Sequence, residues 1–119
     1  MGGSSDVTFD ELLALADHVL SQGACSRTDA IATLSTKRDD PVWPRLAAHY
    51  ECALLFFDAK ELEQETPRLK NPSEAVFRSV GCHGVAEAAA LAAIGPAGFL
   101  AVEKIALDRA TAALAVTRS

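Results

Sequence analysis

The residues with the clearest chemical potential lie in one short stretch, Gly81-Cys82-His83-Gly84-Val85, with Glu87 two positions further on. Two glycines bracket a thiol and an imidazole, and residues 84–94 after them read as a helix built mostly of alanine. A helix N-terminus carries unpaired backbone N–H groups and the positive end of the aligned peptide dipoles. A turn that opens onto such an end can hold carboxylates or phosphates without any catalytic side chain. The same glycines also suit a tight helix–helix connection that needs φ > 0. The residue types are compatible with both roles.

Glu87 is the only charged residue between Val85 and Ile94. It is a candidate acid or base, or a group that positions a substrate amide. Its place three residues after Gly84 equally suits a capping partner for the turn. Cys82 at a helix N-terminus could carry a lowered pKa, or could be a packed small thiol. His83 could donate a hydrogen bond to a ligand. Adjacent Cys82 and His83 do not form a chelating pair, so no metal site is expected, and no cofactor either. Lys37 and Lys104 each follow a strand candidate. Ligands of α/β proteins bind at the carboxyl ends of strands, so either lysine could meet a substrate carboxylate or remain a solvated surface residue. Arg38 is a weaker candidate of the same kind. No G-x-S-x-G elbow is present.

The elements that must position these residues follow from periodicity and punctuation. Residues 8–22 predict a helix, with Thr8 and Glu11 as a capping box and Gly23 as its stop. Phe9, Leu12, Leu13, Ala16, Val19 and Leu20 form its apolar stripe. Residues 30–35 read as a buried strand. Asp40 and Pro41 then open a helix whose Trp43, Leu46 and Ala47 face inward. Residues 52–57 are a second strand candidate, and Asp58 with Glu61 caps a short helix to about Glu65. A loop over 66–72 leads to Ser73, which caps a helix ending at Gly81. Gly95-Pro96 stops the alanine-rich helix. The tail from Ala97 to Ser119 is ambiguous. Its composition favours helix, yet residues 98–102 and 111–117 could be a strand pair around a charged Asp108-Arg109 turn. Alternating strands and helices predict a layered α/β domain.

The chain has 119 residues, 50% of them hydrophobic and 23% charged, with a net charge of −5. One domain over residues 1–119 is expected, large enough for a real core. The acidic balance argues against a nucleic-acid binder, and no apolar run approaches a membrane span. Cys25, Cys52 and Cys82 fit neither a paired framework nor C-x-x-C spacing, which points to a reducing, cytoplasmic setting.

Several segments, taken in order, resemble a known family. They are Asp10-Glu-Leu-Leu-Ala-Leu15, Ala32-Thr-Leu-Ser-Thr-Lys37, Asp39-Asp-Pro41, Phe56-Phe57 with Ala59-Lys-Glu-Leu62, Pro72-Ser-Glu-Ala-Val76 and residues 84–91. Their order and spacing resemble the CobE / CbiG C-terminal domain family of cobalamin biosynthesis. The resemblance implies a three-layer α/β/α domain, hence strands in the tail, and a role in making the corrin ring of vitamin B12. Related domains in the anaerobic pathway form the C-terminal part of a cobalt-precorrin-5A hydrolase, which opens a lactone and releases acetaldehyde. In the aerobic pathway the domain stands alone, and this chain looks like that kind.

Together with the resemblance, the residues lead to the expectation of a protein that binds a carboxylate-rich corrin or precorrin intermediate, with Gly81, Cys82, His83, Gly84, Val85, Lys37 and Lys104 as candidate contacts. It would pass that intermediate to another enzyme of the pathway. The alternatives are a lactone hydrolase acting on a precorrin, with Glu87 as the base nearest the turn, or a non-catalytic subunit of such an enzyme. The acidic net charge opposes a polyanionic ligand. There is one departure from the family pattern. Members begin with an apolar strand ending in a Gly-x-Gly-Cys-type turn, whereas only Met1-Gly-Gly-Ser-Ser precedes Asp6 here. The first strand is therefore expected to be missing.

Overall fold

Thr8 Oγ1 accepts the Glu11 N–H at 3.1 Å, and the Glu11 carboxylate accepts the Thr8 N–H at 2.9 Å. This reciprocal box satisfies two donors at the start of helix α1, Phe9–Gln22. The helix buries Leu12, Leu15, Ala16, Val19 and Leu20. Its inner face is centred slightly off the expected stripe, so Leu15 is buried while Phe9 and Leu13 pack only partly. Gly23 ends the helix, but not through a left-handed backbone. Its φ is −86°, and the left-handed residue is Ala24, at φ 55°. Space is what demands glycine there, because a Cβ would lie 2.4 Å from Leu114 Cδ2.

The computed structural model describes residues 1–117, so the last two residues of the 1–119 domain lie outside the described residues. After α1 come β2 (Ala30–Leu34), a 3-10 turn (Ser35–Lys37), α2 (Val42–Tyr50), β3 (Ala53–Phe57) and α3 (Ala59–Glu63). A second 3-10 turn (Thr66–Arg68) occupies part of the expected loop. It is followed by α4 (Glu74–Val80), α5 (Ala86–Ile94), β4 (Gly98–Leu107) and β5 (Ala110–Thr117). Strands β2 and β3 are parallel, in register from Ala30↔Ala53 to Leu34↔Phe57. Side chains alternate across them. Ile31 packs with Trp43 and Leu46 beneath α1 and α2. Ala32 and Leu34 pack on the other face with Leu62, Ala88 and Ala89 of α3 and α5. The result is the expected three-layer α/β/α arrangement.

The tail is a strand pair, as the resemblance implied and composition alone did not. Burial along the first half of β4 alternates residue by residue, a period of two rather than 3.6. Asp108, at φ 54°, turns the chain between β4 and β5. The first strand was expected to be missing, yet a two-residue strand stands ahead of α1: β1, Gly2–Gly3, antiparallel to β5 through Gly2↔Thr111 and Gly3↔Ala110. The strands therefore form two sheets, β1-β5-β4 and β2-β3. Met1 is buried, and its amino group donates to the Ala32 carbonyl at 2.6 Å. Among the described residues, no helix is long and apolar enough to cross a membrane.

Candidate functional site

Helix α4 begins at Ser73, whose Oγ accepts the Val76 N–H at 3.2 Å. It ends at Gly81 in the left-handed region, φ 89°, with the Gly81 N–H on the Phe77 carbonyl. The expected need for φ > 0 therefore holds at Gly81. Gly84 does not share it. A Cβ at Gly84 would press on Leu69 Cδ1 at 3.2 Å, so that glycine permits close packing.

Between the glycines, Cys82 is fully buried in the cluster with Leu62 and Ala88. Burial pushes its thiol pKa up, the nearby Glu63 carboxylate adds to the rise, and the Gly84 N–H offsets only part of it. Desolvation therefore outweighs the lowering that a helix N-terminus could have produced.

His83 points the other way and is locked between two acids. Its N–H donates to Glu63 Oε1 at 3.0 Å, and Nδ1 lies 2.9 Å from both Glu63 oxygens. Nε2 lies 3.3 Å from Glu74 Oε1, and the ring stacks on Phe77 at 4.3 Å. The hydrogen bond to Glu63 raises the imidazole pKa against a smaller opposing effect of burial. Both ring nitrogens therefore face protein carboxylates. No group of three or more metal-binding side chains forms among the described residues.

Glu87 is buried, with 2% of its surface exposed. Its carboxylate accepts the Lys70 N–H at 3.0 Å, the Asn71 N–H at 2.9 Å, the Asn71 side-chain amide at 2.8 Å and the Lys104 N–H at 2.9 Å. Burial alone would raise its pKa, but the Lys104, Asn71 and Lys70 donors together hold it below the ordinary value. A carboxylate so fully solvated by amides is a poor base. Nor does it cap its own helix. The N-cap of α5 is Val85, and no side chain accepts there. The first N–H groups of α5 thus lack both an intrahelical partner and a side-chain cap.

The surroundings of that helix end come from several elements. Val85 touches the end of β1, since a Cβ on Gly2 would lie 3.3 Å from Val85 Cβ. Lys37 closes the 3-10 turn at the carboxyl end of β2. Lys104 reaches the first turn of α5 through its backbone bond to Glu87. Arg38 lies over the Phe56 ring, 4.9 Å from its centroid. The structure therefore joins Lys104 to the first turn of α5 through Glu87, and sets Lys37 just after β2. Sequence reasoning missed Lys70, Asn71 and Glu63. Their partners are 16 to 20 residues away along the chain, and no local pattern announces such bonds.

At the other end of α5, Arg68 donates to the carbonyls of Leu91, Gly95 and Gly98 while pairing with Glu65. A cation on the last carbonyls of a helix is favourable for its dipole. One acid and one base thus clamp the alanine helix at opposite ends.

The family model described as cobalamin synthesis G C-terminus matches residues 1–115. The chain belongs to that family. It is 43% identical over 108 residues to a Sinorhizobium protein named CobE, covering 89% of this chain and 70% of that protein. A crystal structure of CobE, described as a protein from the cobalamin (vitamin B12) biosynthetic pathway, superposes with a TM-score of 0.88 at 36% identity. That match covers 96% of this chain and 88% of the other. The cobalamin biosynthesis protein chiG from Agrobacterium tumefaciens, at 24% identity and a TM-score of 0.74, covers 99% of this chain and 95% of its own, and shares the fold. The chain is a cobalamin biosynthesis pathway protein.

Proposed function

We propose that the chain binds a carboxylate-rich corrin or precorrin intermediate at the carboxyl-end edge of its sheet. The first turn of α5, from Val85 onward, receives an acetate or propionate arm at the end of the Gly81–Gly84 turn, and Lys37 and Lys104 meet neighbouring arms. The observation that carries this is the N-terminus of α5, left without a side-chain cap while its own Glu87 is spent on fixing the segments around it. Oriented N–H groups at a helix end favour an anion. Because Gly81 and His83 already spend their N–H groups on Phe77 and Glu63, the ligand's share falls to the residues from Val85 onward. The intermediate is then handed to an enzyme of the pathway. Three free cysteines suit a cytoplasmic setting.

The test is a titration of the purified protein with a corrin polyacid and with precorrin-type intermediates, followed by absorbance. A saturable one-to-one spectral shift without turnover is the expected result. Lys37→Ala and Lys104→Ala should each weaken binding by roughly 5–10-fold. Ala86→Pro removes one N–H at a helix position that tolerates proline. It should weaken binding too, with a thermal melt checking that the fold survives. Product release over many turnovers would make the protein a hydrolase instead. No response to any corrinoid would end the proposal.

A further inference from the structure

Glu87 brings two lysines from distant segments together. The Lys70 N–H sits on Glu87 Oε1 at 3.0 Å, and the Lys104 N–H sits on Glu87 Oε2 at 2.9 Å. A single carboxylate therefore separates the two main-chain nitrogens, although one precedes α4 and the other belongs to β4. That carboxylate stands in the first turn of α5, so both lysines border the helix end left without a side-chain cap.

Lys104 reaches Glu87 because β4 is irregular there. The ladder with β5 shifts between Val102 and Ile105, and neither Glu103 nor Lys104 has a register partner in it. A bulge of this kind re-aims a side chain, and bulges are frequent beside functional sites. The neighbouring Glu103 carboxylate takes the Asn71 side-chain amide at 3.2 Å rather than either ammonium.

Neither lysine side chain has an acidic partner among the described residues. Arg68 and Arg109, by contrast, pair with Glu65 and with Asp6 and Glu11. In a chain of net charge −5, two adjacent unpaired cations reverse the local sign. Lys70 is exposed and Lys104 half-buried, and flexible four-carbon stems let both ammonium groups converge on one point. Two ammonium groups drawn together repel, and a carboxylate between them removes that repulsion.

We propose that Lys70 is a further ligand-binding residue, which closes with Lys104 on a single carboxylate arm and makes this corner select a free acid over its amide. The assignment rests on the ligand being the carboxylate-rich corrin or precorrin proposed for the chain. The selection follows from the donors. Lysine ammonium groups and helix-end N–H groups only donate. A carboxylate offers them acceptors and an opposite charge. A primary amide is neutral and turns N–H groups of its own toward them.

The test compares a corrin polyacid with its fully amidated counterpart by absorbance titration at one fixed ionic strength. The parent should bind the polyacid more tightly. Lys70→Ala should weaken polyacid binding roughly 5–10-fold, keep binding of the amidated corrin within about twofold, and melt like the parent. Lys70→Arg keeps the charge and should retain polyacid affinity. In double-mutant cycles Lys70→Ala should couple with Lys104→Ala, which shares the arm, and add with Lys37→Ala. Arg27→Ala removes a cation ahead of β2, at the opposite edge of the sheet, and should change neither affinity. Equal binding of the two corrins by the parent, an equal loss on both in Lys70→Ala, an unchanged polyacid affinity in that variant, a matching loss in Arg27→Ala, or additive losses with Lys104→Ala would each overturn the assignment and leave corrin binding itself standing. A parent that binds neither corrin would end both.

Discussion

Four N–H groups from two distant segments converge on the Glu87 carboxylate. An amide in its place would turn one acceptor into a donor aimed at donors, inside a buried site. Glu87→Gln should therefore cost about 2–3 kcal/mol in urea denaturation at pH 7. The folded pKa of Glu87 is depressed, so its contribution is complete above the unfolded carboxyl value and is lost as pH falls through the folded one. The gap between parent and variant should close accordingly in acid, and a variant as stable as the parent at neutral pH would show the network to be slack. His83 runs in the opposite sense. Its pKa is raised, chiefly by the hydrogen bond to Glu63. The stabilisation it brings is complete below the unfolded value and is lost as pH climbs through the folded one. An NMR titration should place the imidazole above its ordinary value of about 6.5, and Glu63→Gln should bring it down. An unchanged midpoint in that variant would show that Glu63 is not the cause.

At the scale of elements, α5 is held more than it is favoured. Alanine gives it helical propensity, while Glu87 and Arg68 fix its two ends to segments it does not adjoin in sequence. The Gly23 contact is of the same kind, a helix terminus shaped by a strand ninety residues later. Gly23→Ala should lose about 1–3 kcal/mol through overpacking against Leu114. In a double-mutant cycle with Leu114→Ala the two losses should couple favourably, because trimming leucine vacates the space the new methyl needs. Strictly additive losses would return the cause to the backbone. The capping boxes at Thr8 and Asp58 were readable because both partners lie three residues apart. The strands of the tail were not readable from composition, because Ala, Leu, Glu and Lys favour helix in isolation and only a paired strand rewards the alternation.

Over the whole molecule, a net charge of −5 repels the polyanion that the edge of the sheet is proposed to hold. Long-range repulsion is screened by salt more completely than contacts at a helix terminus. Association with a corrin polyacid should therefore speed up, by about 2–3-fold, as ionic strength rises from low to physiological. Stopped-flow absorbance can follow it. A rate that falls with salt would mean that Lys37, Lys70 and Lys104 dominate the field the ligand meets. The three-layer architecture itself follows from strands that bury both faces. Ile31 faces one helix layer and Ala32 the other, so neither layer is optional.

Local chemistry let the sequence alone determine the capped helices, the existence of strands β2 and β3, the glycine turn at Gly81 and the layered α/β class. Those features depend on neighbours within a few residues, and their residue types announce them. Its family resemblance added the strand tail, whereas the short β1 came only from the structure. Tertiary structure decided the rest. It turned Cys82 inward, gave His83 to Glu63 and Glu74, spent Glu87 on Lys70, Asn71 and Lys104, and set β2 and β5 in separate sheets. Each of these depends on groups brought together from distant parts of the chain, where burial and hydrogen bonding, not spacing, choose the partner.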